Sequence, residues 1–445
     1  MNGRKTILAV IADEKGEVFE HPDLLMAGMN GMTVRQPEEN ELIPLPEGSR
    51  LFTIPGTPPV GYDRRNGKQK IIETLPKSWG GGPVQAVSAF VTPGFTRTLL
   101  PAAAYARKNV ALTLWSYTAV GWCVEEDRFY VAAVRVDRNQ QWETKHFDDR
   151  RLEPLVRKRV AEQPHNRLVE QLSRCALDYH CFAAKNLFFG RWEAPLPCSP
   201  ACNAQCIGCI SLQDEPRACQ ASQERLTFVP TVEELCEVAV PHLQNAENAI
   251  VSFGQGCEGD PILQADRVAA AVREMRRQTS RGTINFNSNA SIPDAVDKLA
   301  DAGIDSIRIS LNSVQEELYN AYYRPLNYRF SDVLEAARRA KRNGLFTMLN
   351  YLVFPGITDR EDEIVRLLEL VDSIGIDLIQ MRNLSIDPLL YWKALAADGE
   401  GIGLKRMLDR VKKTIPRIQY GYFNRTRENF YPPGFETDWP LPAVL

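Results

Sequence analysis

The chain has 445 residues, 44% of them hydrophobic, and a formal net charge of −3. That length and apolar fraction can bury a large core and fit two domains, while the near-neutral balance gives no electrostatic reason to expect nucleic acid. No segment approaches the length of a transmembrane helix, so no membrane partner is expected.

The N-terminus, Met1 to Ala12, carries two basic residues, but its apolar run is too short for a signal peptide and Asp13 and Glu14 follow at once, so it reads as a first strand. Ten cysteines in a chain without an export signal point to metal or redox chemistry in a reducing, cytoplasmic compartment. Residues 1–165 hold short apolar runs, Arg50–Ile54, Ala86–Val91, Val110–Trp115 and Phe129–Val134, punctuated by Gly and Pro. They predict a β-rich or α+β accessory domain, to which no role attaches. The glycine-rich turn Ser78–Pro83 lacks the lysine and hydroxyl pattern of a phosphate-binding loop and reads as a flexible loop. A charged helical linker, roughly Asp148–Leu172, leads out of this domain.

From about residue 185 a strand-then-helix rhythm takes over. A strand is expected at Phe188–Glu193, then a helix opened by Thr231, with Glu233 and Glu234 in its first turn, running to about Glu247. Strands follow at Ala249–Phe253, Thr283–Phe286, Ser306–Ser310, Phe346–Phe354 and Leu378–Met381. The helices between them span Ile262–Gln278, Ile292–Ala302 stopped by Gly303, Val314–Asn343 interrupted near Arg324 and Pro325, and Arg360–Ile374; a last helical region starts at Leu390–Ala397. Six strands alternating with helices between about 185 and 420 demand a parallel sheet with helices outside it. A closed TIM barrel needs eight units, so the fold class is α/β with an open, partial (β/α)6 TIM-like barrel. The aromatic- and Pro-rich tail, residues 421–445, is expected to pack from Tyr420 to Trp439 over the barrel mouth or its open side.

Chemistry in such sheets sits at the carboxyl ends of the strands. After the first strand comes Pro200-Ala-Cys-Asn-Ala-Gln-Cys-Ile-Gly-Cys209, which puts Cys202, Cys206 and Cys209 in a C-x3-C-x2-C triplet. Structural zinc needs a fourth ligand from elsewhere. A cubane iron–sulfur cluster held by three thiolates keeps one iron open to bind and react. On this spacing, placed at the first strand end of a partial barrel, the chain resembles the radical S-adenosylmethionine (radical SAM) superfamily.

The resemblance implies a 4Fe-4S cluster on Cys202, Cys206 and Cys209, S-adenosyl-L-methionine (SAM) as the second cofactor, and a reducing electron donor such as flavodoxin or ferredoxin. It also implies cofactor contacts at the strand ends. Gly256 and Glu258, in Gly256-Cys-Glu-Gly-Asp-Pro261, would hold the SAM ammonium, since glycines let carbonyls approach and Glu258 is acidic. Asn287 and Asn289 after the third strand, and Ser310 and Asn312 after the fourth, would reach ribose hydroxyls, though strand-end capping is an equal reading. Arg324 and Arg382 are candidates for the SAM carboxylate or an anionic substrate, because guanidinium pairs with carboxylate in bidentate fashion. Asn350 opens the fifth-strand segment that would lie along the adenine. The sequence departs from the superfamily pattern at Gly208, where many relatives carry an aromatic; adenine contact there would fall to backbone or to Ile207. An auxiliary cluster could draw only on Cys175, Cys181, Cys198, Cys219, Cys236 and Cys257.

The expected activity is reductive cleavage of SAM and hydrogen abstraction from an unidentified substrate. Two roles fit it: maturation of a peptide or protein presented by the N-terminal domain, and small-molecule or cofactor biosynthesis with that domain as a lid. The alternative from another class is a non-catalytic iron–sulfur or zinc-binding regulatory protein. None of the strand-end motifs holds a His, so no general base is assigned.

Overall fold

The computed structural model describes residues 5–75, 77–79, 81–105, 111–213, 221–396 and 400–432. Cys219, Val110, residue 80 of the glycine-rich turn and residues 433–439 of the tail therefore lie outside the described residues. Two sheets dominate, one antiparallel and one parallel.

The N-terminal sheet has ten strands and is antiparallel throughout, following the order 95–97, 128–135, 120–123, 7–12, 18–25, 60–63, 69–71, with three further strands branching from it. Its centre is Ile7–Ala12, six residues all buried, which is why this apolar run is so dense. Side chains of Val10, Ala12, Val87, Ala89, Val120 and Val131 pack into one of its cores. The expected strands at 50–54 and 129–134 are present, and the third runs Gln85–Phe90. Residues 111–115 are not a strand, although their composition is apolar. Leu112 N–H instead donates to Asp387 at 2.6 Å, so this stretch is an irregular connection held by another part of the chain.

The parallel sheet runs in chain order: β1 (Arg191–Pro195), β2 (Glu247–Phe253), β3 (Thr283–Ser288), β4 (Ser306–Leu311), β5 (Phe346–Val353), β6 (Leu378–Asn383) and β7 (Gln419–Gly421). Seven strands stand where six were expected. The extra one is three residues long, too short to stand out in a pattern. β1 also begins later than expected, because Phe188 belongs to a helix, Phe182–Phe189, that Gly190 ends at φ 67°.

Alternation explains how this half-barrel is lined. In β3 and β4 the apolar Ile284, Phe286, Ile307 and Ile309 are fully buried in the core shared with the helices. The intervening Asn285, Asn287, Ser306, Arg308 and Ser310 face the interior. There Ser252 donates to Glu193 at 2.6 Å and Ser306 donates to Asn285 at 2.8 Å. Asn424 from the tail donates to Glu193 at 2.7 Å and accepts from Gln380 at 3.0 Å. Burial without a partner makes polar groups costly, and this ring supplies the partners.

The described part of the tail lies at the end of the barrel opposite the mouth. Phe430 stacks on Phe346 at 4.2 Å, and Arg427 N–H donates to Thr283 at 2.9 Å, both at the amino ends of their strands. The described part of the tail, through Pro432, therefore sits at the bottom of the barrel.

Capping follows the sequence. Thr231 and Glu234 form a reciprocal capping box at the helix Val232–Asn245, and Gly303 ends Pro293–Ala302 at φ 107°. Within the first of these helices His242 is buried against the Trp192 carbonyl, 2.6 Å from Nε2.

Candidate active site

The loop after β1 carries Cys202, Cys206 and Cys209, and three neighbouring segments hold its backbone. Gln205 N–H donates to Tyr323 O at 2.9 Å, Ile207 N–H to Tyr322 O at 3.1 Å, and Leu326 N–H to Asn203 O at 3.0 Å. The break at Arg324 and Pro325 thus has a use: Arg324 at φ 48° ends the helix Glu316–Tyr323 and turns the chain alongside the cysteine loop. From β3 the amide of Asn289 donates to Asn203 at 2.8 Å, and Asn203 donates to Ser291 at 2.9 Å.

The glycine-rich turn after β2 is the third support. Gly259 N–H donates to Ser199 O at 2.7 Å and Asp260 N–H to Ala201 O at 2.9 Å. The approach requires glycine, because a Cβ on Gly259 would fall 2.0 Å from the Ala201 carbonyl oxygen. Glu258 is buried, and both its oxygens are occupied. One accepts from Cys198 and Ser199 N–H at 2.7 and 2.9 Å, the other from Gly254 and Gln255 N–H at 2.9 and 2.7 Å. Its carboxylate therefore clamps the β1 loop to the β2 loop, which leaves no free oxygen for the ammonium role anticipated above. Burial pushes the Glu258 carboxyl up to about 7 while those N–H donors pull it down. Asp260, also raised by burial, accepts from Ser288 at 2.6 Å, Asn289 N–H at 2.7 Å and Ile262 N–H at 3.0 Å.

Between the cysteine loop and the strand ends lies a cavity of about 360 Å³, within the span of small-molecule sites, roughly 300–1,000 Å³. It brings together Cys202, Cys206, Cys209, Gly256, Glu258, Asn287, Asn289, Ser310 and Asn350. Asn312 is not among its walls: it is fully buried, with its amide donating to the Leu318 carbonyl and to Tyr391. Arg324 lies outside it too, in a smaller cleft of about 160 Å³ on the far side of the cysteine loop. Arg382 does line the cavity.

Among the polar side chains facing it, Asn287 is committed, donating to Phe253 O at 2.7 Å and accepting from Asn285 at 2.7 Å. Ser310 accepts from Asn350 at 3.0 Å, which leaves Asn350 Oδ1 buried without a partner. Tyr323 Oη and Arg308 Nε are likewise buried and unpartnered on residues lining the cavity.

Three wall residues escaped the sequence reading. Tyr322 supplies the aromatic surface, standing 2.8 Å from where a Cβ on Gly208 would be, so the small residue in the cysteine loop makes room for a ring from a helix. Ile207 packs into the main core and lines the outer cleft instead. Arg225 lies 3.3 Å from the Cys209 sulfur and 3.2 Å from Ser211 Oγ, a contact made only in space. Arg308 sits mid-strand between two isoleucines; the polar alternation of Ser306-Ile-Arg-Ile-Ser310 was its only signal.

Burial pushes the Cys202 thiol up to about 11 and Cys206 further, so without metal both carry protons that a metal has to displace. Among the described residues no three His, Cys, Asp or Glu side chains lie close enough to hold one metal ion. A four-iron cluster takes its thiolates at separate corners, so three cysteines on one loop can serve it without meeting at a single point. Of the other described cysteines, Cys175 and Cys257 meet with Cys181 near both, Cys198 sits at Glu258, and Cys236 bonds the Ala271 carbonyl.

Comparison with known proteins identifies part of the chain. Residues 196–368, from the end of β1 through most of the helix after β5, match the Radical SAM superfamily. That stretch, less than half of the chain, is a radical SAM domain. Members of this superfamily bind a 4Fe-4S cluster and SAM, and its relatives here are enzymes. The chain is 28% identical over 226 residues to the FeMo cofactor biosynthesis protein NifB of Klebsiella pneumoniae, covering 48% of this chain and 44% of that one. It is 26% identical over 186 residues to pre-heme d1 synthase of Dinoroseobacter shibae, covering 41% of each. Less than half the length of either relative is thus spanned. Among solved structures, Streptococcus suis SuiB bound to the precursor peptide SuiA gives a TM-score of 0.37 at 14% identity, covering 57% of this chain and 52% of SuiB.

Proposed function

We propose that Cys202, Cys206 and Cys209 hold a 4Fe-4S cluster, that SAM occupies the adjoining cavity, and that the protein abstracts a hydrogen atom from a small-molecule or cofactor-precursor substrate. The observation that carries this is the cavity itself: a three-thiol loop opening at the carboxyl ends of parallel strands onto about 360 Å³ walled by unpartnered polar atoms. When bound and reduced by a flavodoxin- or ferredoxin-type donor, the cluster supplies one electron that splits SAM into methionine and a 5′-deoxyadenosyl radical.

The chain's own residues position and shield. Asn350 Oδ1 and Tyr323 Oη are left to meet ligand hydroxyl or amino groups. The Gly256 backbone lies on the same wall. Tyr322 offers a ring face against which a flat base can lie. Arg225 places a positive charge beside Cys209. Segments of the N-terminal sheet close one side: Asn383, a wall residue, accepts from Arg97 N–H at 2.9 Å and donates to Phe95 O at 2.9 Å, and Ser116 meets Ser385, 3.0 Å apart. That placement supports a lid role for the accessory domain, residues 1–165, over the barrel of residues 185–420.

The choice of a small substrate over a peptide follows the cavity's size and the names of the two relatives, one a cofactor biosynthesis protein and one a synthase. The free cysteines among the described residues fit a cytoplasmic setting. No helix among the described residues is long and apolar enough to cross a membrane. The test is anaerobic reconstitution with iron and sulfide, reduction in the presence of SAM, and assay for 5′-deoxyadenosine. Product from the wild type and none from Cys206→Ala is the expected result; a loaded cluster that never cleaves SAM overturns the reading.

A further inference from the structure

On the strand side of the cavity two guanidiniums line the same wall. Arg308, on β4, is open only toward the cavity; its Nη1 donates to the Gln380 amide oxygen at 3.1 Å, and its Nε is buried with no partner. Arg382, two strands away on β6, donates to the Tyr422 carbonyl at 2.8 Å and lies 4.4 Å over the Tyr422 ring. Both acceptors are neutral. Burial disfavours charge on Arg308, and the positive Arg382 adds to that. Glu193, the carboxylate that acts in the opposite sense on Arg308, is one layer deeper and already accepts from Ser252 and Asn424.

Two like charges held inside a barrel without a carboxylate in contact carry a desolvation and repulsion cost that a bound anion would offset. On the strand between them, β5, Asn350 presents its free Oδ1, which accepts and so calls for a donor on the same ligand. The acidic side chains elsewhere on the wall, Glu258 and Asp260, are saturated by N–H and O–H donors and do not compete for these cations.

We propose that Arg308 and Arg382 form a subsite for an anionic group of the substrate, a carboxylate or a phosphate, with Asn350 receiving a neighbouring hydroxyl or amine. The proposal rests on the radical SAM reading only in calling the ligand the substrate. Arg382 is also a candidate for the SAM carboxylate, a role that the separate measurement of SAM affinity distinguishes from this one.

The test is titration calorimetry on cluster-loaded, SAM-saturated protein with inorganic phosphate and with succinate as probes, repeated without SAM, and with SAM affinity measured separately. The wild type is expected to bind at least one probe, phosphate preferred for a phosphate ester and succinate for a carboxylate. Arg308→Met and Arg382→Gln should each weaken that probe about tenfold or more, the usual value of a charge-assisted pair, and leave SAM affinity within about twofold, a change too small to signal a lost hydrogen bond. Arg308→Lys, which keeps the charge and loses the fork, should fall between. Probe binding lost in the variants even where SAM fails to bind would support the subsite while sinking the cofactor reading. Failure of both probes to bind the wild type overturns the proposal. So does a tenfold loss of SAM affinity in Arg382→Gln with probes that compete with SAM, which would give the arginines to the cofactor.

Discussion

On the cysteine side of the cavity every oxygen of Glu258 and Asp260 accepts hydrogen bonds from backbone or Ser288, whereas across the cavity Arg308 Nε and Asn350 Oδ1 have no partner. Both walls are buried and polar, yet they do different work. The first wall spends its carboxylates on joining loops to one another, fixing the cysteines. The second keeps polar capacity in reserve, at a cost in stability that a ligand removes. Identity of residue type does not separate the two cases; the state of satisfaction does.

The sharpest way to break this contrast is Glu258→Gln. The amide nitrogen would face two N–H groups that now point at an oxygen, so about 3–5 kcal/mol of stability should be lost, as when a buried charge partner is removed, read by urea unfolding of the metal-free protein. A loss under about 1 kcal/mol, the scale of one ordinary hydrogen bond, would show that the clamp is not structural.

Acid tests whether that loss is local. Burial lowers His242 to about 4 from 6.5. Its folded value lies below the unfolded one, so the unfolded chain binds the extra proton: stability is intact above about pH 6.5 and falls as pH drops toward 4, by about 3 kcal/mol in full. The His242 contribution should vanish in His242→Gln, whereas Glu258, whose carboxyl burial raises to about 7, takes up its proton in the same window and offsets part of the loss in the wild type, so the net fall should be larger in Glu258→Gln.

Gly259→Ala should cost about 1–3 kcal/mol as an overpacked contact and lower iron incorporation, because the Ala201 carbonyl has to move and the cysteine loop with it. Asn350→Ala gives the smallest stability change, within about 1 kcal/mol, since the lost Ser310 bond is balanced by removal of an unsatisfied oxygen. Its effect should fall on ligand affinity. A large loss of stability in Asn350→Ala would erase the distinction between the walls.

Much of the barrel was legible because strand and helix periods differ and their punctuation is chemical: the capping box at Thr231, the stop at Gly303, the break at Arg324 and Pro325. The cysteine triplet was legible because its spacing is local. What escaped was spatial. Glu258 read as a ligand-binding acid because glycines surround it, but the N–H groups it accepts come partly from residues sixty positions earlier. Arg225 follows a stretch without periodicity, and only the fold brings it to Cys209. Arg308 was masked by its isoleucine neighbours, although polar residues alternating through β3 and β4 announced a lined interior. The tail's aromatics were visible as a group, but which end of the barrel Phe430 would plug depended on β5 starting with Phe346.

The central claim is that the three-cysteine loop holds a cluster with one iron open to SAM. Electron paramagnetic resonance of the reduced, reconstituted protein, recorded with and without SAM, tests it most directly. The account predicts a 4Fe-4S signal whose shape changes on SAM addition in the wild type, and no such signal from Cys206→Ala. A cluster signal that SAM leaves unchanged, or one that survives in Cys206→Ala, would contradict it.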